Sequence, residues 1–159
     1  MSERVYIETT IVGYLTDRPG GDLATQAKKQ ATKRWWNTQR QSFDLFTSEL
    51  VAQEAASGHP EAAERRLDAL AALPSLEIAG DAGVLASKIT GASMIPEKYS
   101  DDALHVATAT INGMDYLLTW NLSHIANATL RKKYEQVIRS EGYEPPIICT
   151  PEELLEEQQ

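Results

Sequence analysis

Short runs of apolar, β-branched residues alternate along the chain with longer segments in which apolar residues recur every three or four positions. The short runs are typical of buried strands and lie at residues 4–7, 43–47, 76–78, 116–119 and 147–149. Strands that are separated by helices pair in parallel, with right-handed crossovers. The pattern therefore predicts an α/β fold, a three-layer α/β/α sandwich around a parallel sheet of about five short strands.

Boundary residues set the limits of the predicted helices. Hydroxyl side chains at Thr9 and Thr10 can cap a helix that starts near Ile11, and Ser48 can cap the helix that follows the second strand. Residues 22–40 contain no Gly or Pro and predict one long basic helix. Further helices are predicted over residues 61–73, 82–89 (capped by Asp81), 100–111 and 130–141, with a terminal helix opening at 150–153 and a loop at 91–96.

Length and composition favour one soluble domain that spans residues 1–159, with an acidic C-terminal tail from about residue 151. The chain has 159 residues, of which 42% are apolar and 24% charged. It contains neither an apolar run long enough to span a membrane nor a signal-peptide core, so we expect a cytoplasmic protein without a membrane partner. The single cysteine, Cys149, agrees with a reducing compartment and is expected to be a small buried residue.

The net charge of −8 excludes a general nucleic-acid coat protein but not an enzyme that acts on nucleic acid. Basic residues cluster in the helix over residues 22–40 and again at 131–133. The first cluster also carries Trp35 and Trp36, and aromatic and basic side chains together can bind single-stranded RNA. We expect Trp35 to lie in the core, whereas an exposed Trp36 would suit contact with RNA or with a partner protein.

Oxygen-bearing side chains follow the predicted strands and begin the predicted helices at one edge of the sheet. In an open parallel sheet, ligands bind beyond the carboxyl ends of the strands. Several carboxylates that meet there would suit a hard divalent cation such as Mg²⁺ or Mn²⁺. The residues expected to meet are Glu8, Thr10, Glu54, Asp102, Thr119 and Asn121.

Each of these residues also has an ordinary structural explanation. Asp101 and Asp102 in the first turn of a helix are favourable to its dipole. A glutamate such as Glu54 on a helix face is usually solvated, and Thr119 and Asn121 can serve as turn residues. Only the whole set of residues taken together indicates a metal site.

The ordered set resembles the PIN-domain family, and within it the VapC-like toxins of bacterial toxin–antitoxin modules. The resemblance is carried by Tyr-Ile-Glu-Thr-Thr at 6–10, Thr-Ser-Glu-Leu-Val-Ala-Gln-Glu at 47–54, Asp-Asp-Ala-Leu-His-Val-Ala-Thr-Ala at 101–109 and Leu-Leu-Thr-Trp-Asn at 117–121. It implies a metal-dependent ribonuclease with an acidic Mg²⁺ or Mn²⁺ site. It also implies an RNA substrate, a small antitoxin partner and a homodimer, with the early helices contributing to both protein contacts.

The family's site residues carry over by position. Glu8, Glu54 and Asp102 match the first three acids, which would bind the metal, while Asn121 matches the fourth acid and Thr10 the hydroxyl residue near the first. Two of these positions depart from the family pattern. Glu8 is one methylene longer than the usual aspartate, and Asn121 can offer its carbonyl oxygen to a cation but no charge, so we expect weaker metal binding.

Two hypotheses follow. The first is a PIN-type endoribonuclease, the toxin of a toxin–antitoxin pair, in which Glu8, Glu54, Asp102 and Asn121 are catalytic. Thr10, Thr119 and His124 would then position water or substrate, whereas His105 is expected to be packed or hydrogen-bonded. The second is a catalytically silent PIN-like module that binds RNA or protein. A receiver- or phosphatase-type phosphoryl-transfer domain is disfavoured, because the first strand does not end in an aspartate nucleophile.

Overall fold

The computed structural model describes residues 2–93 and 95–155. The strands are β1 (Glu3–Ile7), β2 (Phe43–Ser48), β3 (Ser75–Leu76), β4 (Tyr116–Leu118) and β5 (Ile147–Cys149). The α-helices are α1 (Thr9–Thr16), α2 (Leu23–Gln39), α3 (Glu49–Ala55), α4 (Pro60–Leu70), α5 (Gly80–Ser93), α6 (Ser100–Ile111) and α7 (Ala128–Ser140), and short 3-10 helices cover Arg40–Ser42 and Glu97–Tyr99. The strands form one parallel sheet in the order β3-β2-β1-β4-β5.

The direction in which the chain adds strands to the sheet reverses beside β1. From β1 the chain runs outward on one side through β2 to β3, and it then crosses back to add β4 and β5 on the other side. A crevice opens where successive connections leave the sheet in opposite directions, and ligands bind in such crevices at the carboxyl ends of the strands. The ends of β1 and β4 therefore flank the position where the sequence predicts a site.

The helices form two groups, one for each face of the sheet. α1 contacts α2, α3 and α4, whereas α5 contacts α6 and α7. Because the crossovers are right-handed, connections that move along the sheet in opposite directions cover opposite faces. The predicted three-layer α/β/α sandwich with a parallel sheet of five strands is confirmed.

The central strand is buried on both faces. Val5, Tyr6 and Ile7 have no exposed surface, as expected where helices cover a parallel strand on both sides. Trp35 is also fully buried, as predicted, and its indole nitrogen donates a hydrogen bond to the Leu154 carbonyl at 2.7 Å. This bond ties α2 to the C-terminal segment.

Cys149 is buried at the end of β5, as the sequence predicts. Trp36, by contrast, is half-buried rather than exposed, and the Arg40 guanidinium lies 4.5 Å from the centroid of its ring. Trp36 therefore offers only part of its surface to an RNA or a partner protein.

Three boundary predictions are wrong. Residues 91–93 belong to α5 rather than to a loop, and Asp81 lies in the first turn of α5 instead of capping it. The third strand ends at Leu76, two residues earlier than predicted.

The C-terminal segment also departs from the prediction. Residues 151–153 form a turn instead of opening a terminal helix. Of the acidic tail, Glu156 and Glu157 lie outside the described residues. Among the described residues, no helix combines the length and apolar character that crossing a membrane would require.

Candidate active site

Glu8 follows β1 directly and caps α1 with its side chain. Its Oε1 accepts hydrogen bonds from the Thr10 backbone nitrogen at 3.2 Å, the Thr10 hydroxyl at 2.5 Å and the Thr119 hydroxyl at 2.6 Å. The expectation that a hydroxyl caps this helix is therefore wrong. A carboxylate takes that place because the helix N-terminus favours negative charge, and the bonds fix Glu8 with 3% of its surface exposed.

Glu54 lies in the last turn of α3, and its carboxylate turns inward. Its Oε1 accepts a hydrogen bond from the Thr9 hydroxyl at 2.5 Å and lies 2.6 Å from Nε2 of His105. The Glu54 side chain is 31% exposed. Glu54 is therefore held by specific partners and is not an ordinary solvated glutamate.

His105 is the buried centre of a chain of hydrogen bonds behind Glu54. Its imidazole is 1% exposed, and Nδ1 lies 2.7 Å from the Tyr6 hydroxyl, which lies 2.8 Å from the Ser48 hydroxyl. Ser48 also accepts from the Val51 backbone nitrogen and so caps α3 as predicted. With both ring nitrogens protonated, His105 donates to Glu54 and to Tyr6, and Tyr6 donates to Ser48.

Burial alone would lower the pKa of His105, but its hydrogen bond to Glu54 and the negative charges around it raise that pKa above the ordinary value. Burial alone would raise the pKa of Glu54, but the hydrogen bond and charge of His105, with the Thr9 hydroxyl, lower it. Both shifts favour an imidazolium paired with a carboxylate. The prediction that His105 is packed or hydrogen-bonded is confirmed.

Asp102 lies in the first turn of α6, next to the residues that follow β4. Its Oδ1 accepts from the Asn121 side-chain nitrogen at 3.1 Å, and its Oδ2 lies 3.4 Å from Nδ1 of His124. Burial raises the pKa of Asp102, and the charges of Glu8 and Glu54 raise it further, against the opposing effect of His105 and His124. Asp102 therefore lies within the electrostatic reach of the other two acids.

Asn121 supports Asp102 with its amide group. The side-chain oxygen accepts from the His124 backbone nitrogen at 3.1 Å, and the Asn121 backbone nitrogen donates to the Thr119 hydroxyl at 2.9 Å. This carbonyl oxygen, expected as a possible metal ligand, is thus engaged in a turn. Thr119 likewise shapes the turn, as its structural interpretation expects, and its hydroxyl also donates to Glu8.

The donor set fits a divalent cation. Glu8, Glu54 and His105 each offer a ligand atom within 4.8 Å of the other two. Among the described residues, Oε2 of Glu8 and Oε2 of Glu54 have no hydrogen-bond partner. Hard cations prefer such carboxylate oxygens. His105 is a poorer ligand, because both of its nitrogens are engaged.

The sequence does contain a signal for His105. It follows Asp102 by three positions in α6, so the two side chains share one helix face. Asp101, one position earlier, is exposed. The helix therefore turns Asp102 and His105 toward the sheet and leaves Asp101 in solvent.

The basic helix contributes less to the candidate site than its sequence suggests. Lys29 is 7% exposed, and its ammonium group donates to the carbonyls of Arg18 and Gly20 and pairs with Asp17 at 3.1 Å. Lys29 therefore anchors the connection between α1 and α2. The Lys28 ammonium nitrogen lies within 6 Å of the ring centroids of Tyr14 and Trp120.

An open depression extends from Thr10 between α1 and α4. It has a volume of about 300 Å³, and its lining includes Tyr14, Arg65 and Arg66. The guanidinium of Arg66 is bound to the carbonyls of Ala55 and Ser57. The depression thus places cationic side chains on the α4 side of the acidic cluster.

Three solved structures share the fold. VapBC2 from Rickettsia felis, bound to a DNA fragment from its promoter, matches with a TM-score of 0.58 and 12% identity over 92% of this chain and 98% of that chain. FitAB bound to an IR36 DNA fragment matches with a TM-score of 0.59 and 14% identity over 98% of this chain and 99% of that chain. VapC20 from Mycobacterium tuberculosis, a toxin that cleaves the sarcin–ricin loop, matches with a TM-score of 0.55 and 16% identity over 78% and 95%.

The relationship is visible in the structure and not in whole-chain sequence similarity. No protein-family model matches the sequence, and no curated protein sequence is significantly similar to it. The structural matches extend over most of this chain and nearly all of each similar chain. At the level of the fold, they confirm the resemblance of this chain to the VapC-like PIN-domain toxins.

Proposed function

We propose that the protein is a metal-dependent endoribonuclease and the toxin of a toxin–antitoxin pair. The observation that carries the proposal is the convergence of Glu8 and Glu54 at the reversal point of the sheet. Asp102 lies close enough to them that their negative charges raise its pKa. It is supported by the likeness of the fold to VapC20, a toxin that cleaves the sarcin–ricin loop. RNA is therefore the substrate we propose.

Glu8 and Glu54 would hold Mg²⁺ or Mn²⁺ through their free Oε2 atoms, and Asp102 would join them through Oδ2, which in the metal-free protein lies 3.4 Å from Nδ1 of His124. A cation bound there would supply an activated water and would neutralise charge that develops on the phosphate. Thr10 and Thr119 hold the Glu8 carboxylate in place, and His105 holds that of Glu54. The chain thus provides three acids whose orientation is set before substrate binds.

Asn121 and His124 would act from the Asp102 side. Asn121 fixes the Asp102 carboxylate by donating to Oδ1, and His124 lies within 3.4 Å of Oδ2. In this arrangement His124 can donate a hydrogen bond to a phosphate oxygen as the substrate enters. We therefore assign Asn121 a positioning role and His124 a role in substrate contact.

The proposal extends to protein partners. VapBC2 and FitAB are toxin–antitoxin complexes bound to DNA, and by analogy we propose a small antitoxin for this chain and a homodimer as the active form. The depression between α1 and α4 is the place where we propose that an antitoxin binds, in contact with Thr10, whose hydroxyl donates to Glu8. We propose the cytoplasm as the place of action.

The proposed activity is tested by measuring Mn²⁺ binding and RNA cleavage together. Asp102→Asn removes one proposed ligand, and Asp101→Asn removes an exposed acid one position away in the same helix turn. We expect Asp102→Asn to lose both metal binding and EDTA-sensitive cleavage, and Asp101→Asn to retain both. Equal behaviour of the two variants would refute the proposed role of Asp102.

The alternative function is a silent PIN-like module that binds RNA or protein. The observation that favours it is Asn121, which stands where the family has a fourth acid and turns its amide nitrogen toward Asp102. No calorimetric response to Mn²⁺ at millimolar concentration, together with no cleavage, would support the module. Mn²⁺ binding that Asp102→Asn abolishes would support the enzyme.

A further inference from the structure

A stacked pair of rings lies at the edge of the acidic cluster. The rings of Tyr99 and His124 are nearly parallel, with their centroids 4.0 Å apart and their planes inclined by 24°. Tyr99 ends the 3-10 helix before α6, whereas His124 belongs to the segment after β4. Two distant parts of the chain therefore build one aromatic surface.

The pair is fixed to the candidate site through His124. Nδ1 of His124 lies 3.4 Å from Oδ2 of Asp102, and the His124 backbone nitrogen donates to Asn121. On the other side, Tyr99 immediately precedes α6, which carries Asp102 in its first turn. Any group that extends the stack would therefore lie beside the proposed metal ligands.

The rings are only partly covered. The His124 side chain is 30% exposed, and Tyr99 is half-buried. Lys98 is exposed, and its ammonium nitrogen lies 5.0 Å from the centroid of the Tyr99 ring. An accessible aromatic surface with an exposed cation beside it can bind a base and the adjoining phosphate.

Charge explains why such a surface is needed. The chain carries a net charge of −8, and the candidate site itself holds carboxylates that repel a polyanion. Stacking of a base on an aromatic ring is attractive whatever the surrounding charge, and it tolerates different bases. A stacking surface beside the acids would thus hold a single strand where electrostatic attraction is weak.

We propose that Tyr99 and His124 form a stacking platform for a base of single-stranded RNA next to the scissile phosphate, with Lys98 contacting the adjoining phosphate. This inference rests on the proposed ribonuclease function and specifies how its substrate is held. Duplex RNA would not use the platform, because its bases are already stacked. Tyr99 is the residue to vary, since His124 also contacts Asp102.

The test uses the full-length protein and two measurements. Binding is followed with Ca²⁺ in place of Mg²⁺, by the quenching of one 2-aminopurine within a short oligouridylate. Cleavage of single-stranded RNA is followed with Mg²⁺ or Mn²⁺. The variants are Tyr99→Leu, which removes the ring, and Tyr99→Phe, which keeps it. Tyr143→Leu is the matched control, because Tyr143 is 37% exposed and lies in the connection that leads into the amino end of β5, whereas the candidate site lies at the carboxyl ends of β1 and β4.

We expect Tyr99→Leu to weaken RNA binding and to raise KM by about tenfold, in line with the loss of one stacked base, while kcat changes by less than about twofold. Tyr99→Phe and Tyr143→Leu should behave like the unaltered protein, and a duplex of the same sequence should not be bound through this surface. Lys98→Gln should weaken binding and reduce its dependence on salt.

The outcomes separate this inference from the proposed function. Cleavage with an unchanged KM in Tyr99→Leu overturns the platform and leaves the ribonuclease intact. Quenching without cleavage, lost in Tyr99→Leu, supports the platform and contradicts the ribonuclease. Absence of quenching in the unaltered protein overturns the platform. If Tyr99→Leu does not fold, Tyr99→Trp decides the matter, because its larger ring should tighten binding and any weaker or equal binding contradicts the proposal.

Discussion

The Thr119 hydroxyl donates a hydrogen bond of 2.6 Å to Oε1 of Glu8 and so joins the carboxyl ends of β4 and β1. The same hydroxyl accepts from the Asn121 backbone nitrogen at 2.9 Å. One side chain therefore fixes both the first acid and the turn that carries Asn121 toward Asp102. The two halves of the candidate site are coupled across the reversal point of the sheet.

This coupling predicts that Thr119→Val lowers metal affinity although Thr119 is not a proposed ligand. Valine keeps the shape of threonine but frees Glu8 Oε1 from one of its hydrogen bonds. We expect Mn²⁺ affinity to fall by about tenfold, as is common when a partner that orients a ligand is lost. Isothermal titration calorimetry measures the change. Thr47→Val is the control, and equal losses in both variants would contradict the assignment.

At Thr47 and Thr108, replacing threonine with valine is expected to stabilise the protein. Their hydroxyl oxygens are buried and have no hydrogen-bond partner among the described residues. Removing an unsatisfied buried hydroxyl while keeping its volume relieves a desolvation cost. We expect Thr47→Val and Thr108→Val each to raise the free energy of unfolding by about 1 kcal/mol, as measured by urea denaturation. A loss of stability in either variant would indicate a partner for that hydroxyl that the structure does not contain.

The sequence predicts the sheet well because burial determines the strand pattern. A central parallel strand must be apolar on both faces, and Val5, Tyr6 and Ile7 meet that condition without ambiguity. The end of α5 could not be predicted in the same way. Gly91 favours a loop by propensity, and residues 91 and 92 are exposed, so neither propensity nor an apolar pattern indicates that α5 continues to Ser93.

The sequence predicts which residues come together at the candidate site, but it does not predict how their side chains contact one another. The topology brings Glu8 and Glu54 to one edge because the strands are parallel. No sequence pattern shows that the Asn121 amide nitrogen faces Asp102, since an asparagine can present either its oxygen or its nitrogen. Similarly, the sequence does not show that Lys29 is buried, because its partners are carbonyl groups of the connection before α2.

Asn121→Asp tests whether the missing fourth acid weakens metal binding. The new carboxylate would face Asp102, to which the Asn121 nitrogen now donates at 3.1 Å. Without metal, two like charges at this distance should lower stability and raise the pKa of Asp102 further. With Mn²⁺ the added charge should be compensated and metal affinity should rise.

The readout is the melting temperature with EDTA and with Mn²⁺. We expect the Mn²⁺-induced increase to be larger in Asn121→Asp than in the unaltered protein, because at a fixed ligand concentration the stabilisation grows with the logarithm of the affinity for the folded state. An equal increase in both proteins would show that position 121 does not influence the bound cation. Asp101→Asn serves as the control for a general change of charge at this end of α6.

The pair formed by Glu54 and His105 predicts how the stability of the metal-free protein depends on pH. The pKa of Glu54 is lowered from its ordinary value of 4.5, so its contribution is present above that value and is lost as the pH falls through the folded-state pKa. The pKa of His105 is raised from 6.5, so its contribution is present below 6.5 and is lost as the pH rises through the folded-state pKa. The pair is therefore most stabilising between these limits.

The variant His105→Gln measures how much the charged pair of Glu54 and His105 contributes to stability. Glutamine can still donate to Glu54 but carries no charge, so we expect the free energy of unfolding near pH 6 to fall by about 2 kcal/mol, the scale of a hydrogen bond between charged groups. We further expect the decline in stability on the alkaline side of pH 6.5 to be smaller in the variant. Urea denaturation in EDTA at a series of pH values measures both effects. Parallel stability profiles for the two proteins would contradict a raised pKa of His105, because only a pKa that differs between the folded and unfolded states makes stability depend on pH.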